Sequence, residues 1–365
     1  MFKPSQIKRV CLYWGFGAAI FGLVTGCSNT TNSTKPAPVS QESPVTPGKA
    51  IDPAKPAPVS QESPGVAANS PSVVATYSVL CDLTEKIAQN TVKVTCLIPA
   101  GGDPHVYQPK PEDKRTIENA NLVLYGGYNF ETNLLKVLQS TSSKGPKVAV
   151  SEKATPQPIK NKHDHGHSHE HDHKHNHGDD HSHGEFDPHV WHDAQNGIRM
   201  VNVIRDQLKT LVPGQASLYD ANAQRLTEQI QRLDTWIKAQ VNTIPAGQRR
   251  LVTTHEALGY YAQAYGLQLE GALKGVTTEE QPTAKRVAEL VKVIKEAKVP
   301  VIFAEASVNP GLINTVAKEA NVRVSSERIF ADGLGAPPAN TYVGMLAANT
   351  CTIVNGLGGK CTPFQ

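Results

Sequence analysis

Leu226, Ile230, Leu233, Ile237 and Val241 step along the chain by 4, 3, 4 and 4 residues. That spacing is the apolar stripe of a long α-helix. It begins near Leu218 and ends before Pro245, which cannot continue it. On either side, short apolar runs alternate with helix-period stretches. Upstream, Ser72–Tyr77 and residues 92–98, 121–127 and 147–150 read as strands, and 82–89 as a helix. Downstream, Arg250–Thr253 and residues 299–303 read as strands; 284–297, a segment from Gly311 and 342–353 read as helices. Strands alternating with helices imply βα units on a mostly parallel sheet. The expectation is an α/β chain of two lobes, each a mostly parallel sheet flanked by helices. The first spans 71–215, the linking helix 216–244 and the second lobe 245–365. Neither lobe has a G-x-G-x-x-G turn opening a helix or a Walker lysine motif, so nucleotide binding has no support.

The first 26 residues read as an export signal: Lys3, Lys8 and Arg9, an apolar run over 10–24, then Thr25-Gly26-Cys27. The run is too short to span a membrane comfortably. Val24-Thr25-Gly26-Cys27 resembles the bacterial lipobox, whose cysteine becomes the lipidated first residue. A lipid on Cys27 then holds the chain at a membrane surface. Residues 27–70 read as a disordered tether, because the segment Lys-Pro-Ala-Pro-Val-Ser-Gln-Glu-Ser-Pro at 35–44 recurs at 55–64 and has too little apolar surface to fold.

Of six cysteines, Cys11 leaves with the signal and Cys27 takes the lipid, which leaves Cys81, Cys96, Cys351 and Cys361. An even number in an oxidising compartment favours two disulfides with three possible connectivities. The expected pairs are neighbours, Cys81 with Cys96 and Cys351 with Cys361, each closing a short loop worth roughly 3 kcal/mol. A zinc site made of these four lacks any C-x-x-C spacing.

The chain has 14 histidines but a formal net charge of only +3, too balanced to suggest a nucleic-acid partner. Ten lie in one run: His163, His165, His167, His169, His171, His173, His175, His177, His181 and His183. No apolar residue occurs between 161 and 184, so the run is expected to be an unpacked loop. Imidazoles suit zinc, copper and nickel. An unpacked run must be ordered on each capture, so its binding should be multiple, weak and lost on protonation near pH 6.

His105, His189, His192 and His255 remain. His105 sits in Asp103-Pro104-His105-Val106-Tyr107-Gln108-Pro109, and His189 in Asp187-Pro188-His189-Val190-Trp191. His255 opens His255-Glu256-Ala257-Leu258-Gly259-Tyr260-Tyr261. Loops after sheet strands are where open α/β folds place ligands. These three histidines converge only if the lobes face one another.

Together with Asp332-Gly333-Leu334-Gly335 and Tyr342, these motifs resemble those of zinc-binding solute receptors of ABC importers. The type is the periplasmic zinc-uptake (ZnuA-like) receptor, within a wider zinc/manganese group, and the resemblance covers residues 73–357. It implies metal ligands His105, His189, His255 and Asp332 between the lobes. It also implies a monomeric extracytoplasmic receptor, not an enzyme, serving an importer permease and its ATPase subunit. A histidine-rich insert before Asp-Pro-His marks the zinc branch, as an auxiliary trap or sensor. Related manganese receptors carry a glutamate where His255 stands. The chain departs from the pattern at His192, where family members usually have an apolar residue. His192 is expected to point away from the site, with a supporting or entry-path role as the alternative.

Three imidazoles and a carboxylate suit tetrahedral Zn²⁺. Manganese prefers more oxygens, and copper(II) outranks zinc on affinity alone. Two rival functions remain. A zinc hydrolase needs a bound water and a base, for which Glu256 is the candidate, but no H-E-x-x-H is present. A zinc-buffering lipoprotein needs no transporter.

Overall fold

The computed structural model describes residues 70–161 and 185–365. The leader, Cys27, the tether and the ten-histidine run lie outside the described residues.

In chain order the first lobe is β1 (Ser72–Tyr77), α1 (Ser78–Ala88), β2 (Lys93–Ile98), α2 (Pro111–Asn119), β3 (Leu122–Tyr125), α3 (Thr132–Ser140), β4 (Lys147–Ala149) and α4 (Val150–Ala154). Then come α5 (Ala194–Leu211) and the long α6 (Ala216–Val241). The second lobe is β5 (Arg250–Thr253), α7 (Gly259–Tyr265), β6 (Gln268–Ala272), α8 (Ala284–Glu296), β7 (Val301–Ile302), α9 (Gly311–Ala320), β8 (Arg323–Val324) and α10 (Tyr342–Gly356).

The first sheet is parallel, in the order β2-β1-β3-β4. Its central strand, β1, is covered on both faces, which is why Val73-Val74-Ala75 reads as an unbroken apolar run without alternation. In the second lobe β5 pairs with β6 and β7 with β8, all parallel. Phe303 N–H donates to Val252 O at 2.9 Å, joining the two pairs. The fold is therefore two α/β lobes of parallel strands flanked by helices, with α6 running between them.

The stripe read on α6 is buried from Tyr219 to Val241. It faces α1, α5 and also α10, so Tyr342, Met345, Leu346 and Ile353 share one core with Val74, Leu80, Ile204 and Ile230. A second, smaller core, with Val252, Leu273, Leu290, Ile294, Ile302, Ile313 and Val316, lies within the second lobe.

Sequence patterning leaves α2, α3, α4, α5, α7, β6 and β8 unassigned. Of these α5 is the longest, at 18 residues. Its first turn holds Gly197, normally a helix-weakening residue. A Cβ there would lie 2.1 Å from Tyr342 Oη, so the glycine permits the close approach of α10.

Cys81 on α1 is bonded to Cys96 on β2, and Cys351 on α10 to Cys361 in the tail. Replacing Cys81 and Cys96 by alanine together is expected to lower the unfolding free energy by about 3 kcal/mol. Guanidinium denaturation would measure this, with metal stoichiometry unchanged. An unaltered midpoint would show that the bond adds nothing to the packing of α1 on the sheet.

Candidate metal centre

His105 follows β2, His189 precedes the turn into α5, His255 follows β5, and Asp332 lies between β8 and α10. The two Asp-Pro-His segments fold alike. Asp103 Oδ1 accepts the His105 N–H at 3.0 Å, and Asp187 Oδ1 accepts the His189 N–H at 2.9 Å. The aspartate thus caps its own turn two residues on, while the intervening proline fixes the backbone and adds no donor. His255 N–H is held instead by Glu305 Oε1, at 2.9 Å.

The four side chains converge, all at most 2% exposed. Each offers a ligand atom within 4.8 Å of the others. His189 Nε2 lies 3.2 Å from His105 Nε2 and 3.3 Å from His255 Nε2. Asp332 Oδ1 lies 3.3, 3.3 and 3.1 Å from the Nε2 atoms of His105, His189 and His255.

The outer partners set which nitrogen faces inward. Asp187 Oδ1 accepts from His189 Nδ1 at 2.8 Å, and Glu305 Oε2 accepts from His255 Nδ1. Both rings thereby keep Nδ1–H turned outward and present Nε2 to the site as the ligand atom, the arrangement that raises ligand basicity in histidine metal sites. Asp332 Oδ2 accepts from Ser307 Oγ at 2.9 Å, which aims Oδ1 at the three imidazoles. His105 Nδ1 has no hydrogen-bond partner among the described residues, and its ring stands edge-on to Phe130 at 4.9 Å.

Charge is poised to favour a cation. Burial opposes ionisation of Asp332, but His255 and the hydrogen bonds from all three histidines hold its carboxyl well below the usual range. Burial likewise opposes a charge on His255, yet Asp332 and Glu305 lift it well above the ordinary histidine value. His189 is raised too: burial works against it, and Asp187 and Asp332 prevail. His105 is lowered by burial.

The structure also places two residues that the sequence left open. His192 is fully buried, with Nε2 2.7 Å from Ala331 O, and burial lowers it to about 4. Glu256, the candidate hydrolytic base, turns outward to Arg286 Nη2 at 2.8 Å. Glu305 and Ser307 escaped sequence reading. A carboxylate directly after the buried run Val301-Ile302-Phe303-Ala304 was the available signal.

Residues 73–356 match the sequence profile of the family described as "ZnuA: Zinc-uptake complex component A periplasmic". The manganese-binding lipoprotein MntA of Halalkalibacterium halodurans is 32% identical over 287 residues, 78% of this chain and 88% of that protein. The zinc-binding protein TroA of Treponema pallidum is 31% identical over 297 residues, 80% and 90% of the two chains. The solved structure of the periplasmic zinc-binding protein TroA superposes with a TM-score of 0.69 at 30% identity, covering 79% of this chain and 99% of that one.

Proposed function

The chain belongs to the ZnuA family of periplasmic zinc-uptake components, and on that premise we propose that it captures Zn²⁺ outside the cytoplasm and passes it to an ABC importer. Members of this family are solute-binding receptors, not enzymes, so the chain is a metal-binding receptor whose partners are a transporter permease and its ATPase. The finer reading is that zinc is the cargo, held by His105, His189, His255 and Asp332.

The observation that carries it is the donor set. Three imidazole nitrogens and one carboxylate oxygen make five contacts of 3.1–3.3 Å. Five of the six donor–donor edges thus have the length expected when each donor sits about 2.0 Å from a shared ion, the Zn–N and Zn–O distance. Manganese favours oxygen-rich sites and stands at the weak end of the affinity order for divalent metals. MntA is named for manganese and TroA for zinc, so relatives of nearly equal identity do not choose the metal. The nitrogen-rich set supports zinc.

The ten-histidine run is proposed as an auxiliary trap. Its flanks meet: Asn161 N–H donates to Glu185 O at 3.0 Å, and Asp187 N–H to Ile159 O at 2.9 Å. The run is thus tethered two residues from Asp187, where it raises local zinc without adding a contact to the bound ion. Among the described residues no helix is long and apolar enough to cross a membrane. Attachment is proposed through a lipid on Cys27, with the receptor a monomer.

Competitive titration of the exported domain tests the reading. One tight Zn²⁺ equivalent is expected, with Mn²⁺ at least about a hundredfold weaker. Comparable Mn²⁺ affinity would overturn the zinc assignment. Replacing residues 162–184 by a short glycine turn should keep the tight equivalent and remove the weaker ones. Loss of the tight site would mean that the run supplies a primary ligand.

A further inference from the structure

His192 stands where the family resemblance places an apolar residue, and its imidazole is wholly buried. Its Nε2 lies 2.7 Å from the carbonyl oxygen of Ala331. A carbonyl can only accept, so Nε2 carries the proton and Nδ1 is bare. That Nδ1 is buried and has no hydrogen-bond partner among the described residues. Burying an imidazole with one nitrogen unpaired is unfavourable compared with an apolar side chain of similar size. The compensating contact is the one to Ala331, the residue immediately before Asp332.

We propose that His192 is a positioning residue for the fourth ligand, fixing the backbone that carries Asp332; the inference rests on the ligand set proposed above. His192 closes the 3₁₀ turn Val190–His192, which begins directly after His189. The turn that delivers a first-lobe imidazole therefore also grips the second-lobe segment that delivers the carboxylate. Further along that segment, Leu334 N–H donates to Ser78 Oγ at 2.9 Å, a second hold from the first lobe. Ser307 orients the Asp332 carboxyl group from within the second lobe. His192 fixes the peptide, and Ser307 the side chain.

A double-mutant cycle on zinc affinity separates this role from a general packing role. His192→Leu is expected to weaken zinc by up to about tenfold, the limit set by loss of Asp332 itself. His192→Gln keeps an amide donor and should recover most of that loss. In an Asp332→Ala background, His192→Leu should change affinity by less than about twofold, because the ligand it positions is gone. Equal losses in both backgrounds, or no loss in the wild-type background, would overturn the proposal. Asp332→Ala with wild-type affinity would overturn the ligand set itself, and this inference with it. Should His192→Leu fail to fold, His192→Asn, whose donor falls short of Ala331, takes its place in the cycle.

Discussion

Replacing His189 by alanine is expected to lower zinc affinity by roughly a hundred- to a thousandfold. Folded zinc sites bind with about 10–16 kcal/mol at neutral pH, so one ligand of four carries on the order of 3 kcal/mol. His189 has the largest expected effect because its Nε2 is within 3.3 Å of each of the other three donor atoms. Its removal also leaves the Asp187 carboxylate, only 3% exposed, without its ring partner. Asp332→Ala should weaken binding less, by about tenfold, since water can supply an oxygen where the carboxylate was. Chelator competition on both variants measures the difference. A His189→Ala protein with unaltered affinity would remove the centre from consideration as the cargo site.

Zinc affinity is also expected to fall steeply as the solution is acidified, starting above the ordinary histidine range. The sign follows from the metal-free site. His255 and His189 are both raised, against burial, by the carboxylates of Asp332, Glu305 and Asp187. Their protonated forms are therefore favoured when no metal is bound, and the ion must displace those protons. Burial lowers His105, and Asp332 stays ionised well below the usual carboxylate range, so neither sets the upper edge of the window. With two protons displaced per ion, affinity should drop by up to about a hundredfold per pH unit once both histidines are charged. Calorimetry in buffers of different ionisation enthalpy counts the released protons. Affinity that is level between about pH 8 and about pH 5.5 would contradict this electrostatic account.

The two-lobe plan was legible because its signals are local. The stripe on α6 and the apolar runs of β1 and β5 depend only on neighbours in sequence. The four converging side chains are similarly marked by short motifs, and the aspartate in each Asp-Pro-His caps its own turn. What escaped depends on distant partners. Glu305 meets His255 from 50 residues away, and no periodicity records that pairing. Gly197 weakens the helical pattern of α5, and its purpose is visible only once Tyr342 is packed against it. The partner of His192 is hidden for the same reason: the carbonyl it holds is 139 residues further along the chain. The two-residue strand β8 is too short for any alternation to show.

The placement of α10 has a consequence for how the molecule is made. Its apolar face completes the core built on β1, α1 and α6, and Tyr342 N–H reaches back 260 residues to Asp82 Oδ2 at 2.9 Å. Synthesis runs from the N-terminus, so α1 and α6 emerge with an apolar wall still missing. Loop closure across most of the described chain must precede the contacts that reward it. The first lobe is therefore finished late, and it depends on the arrival of α10.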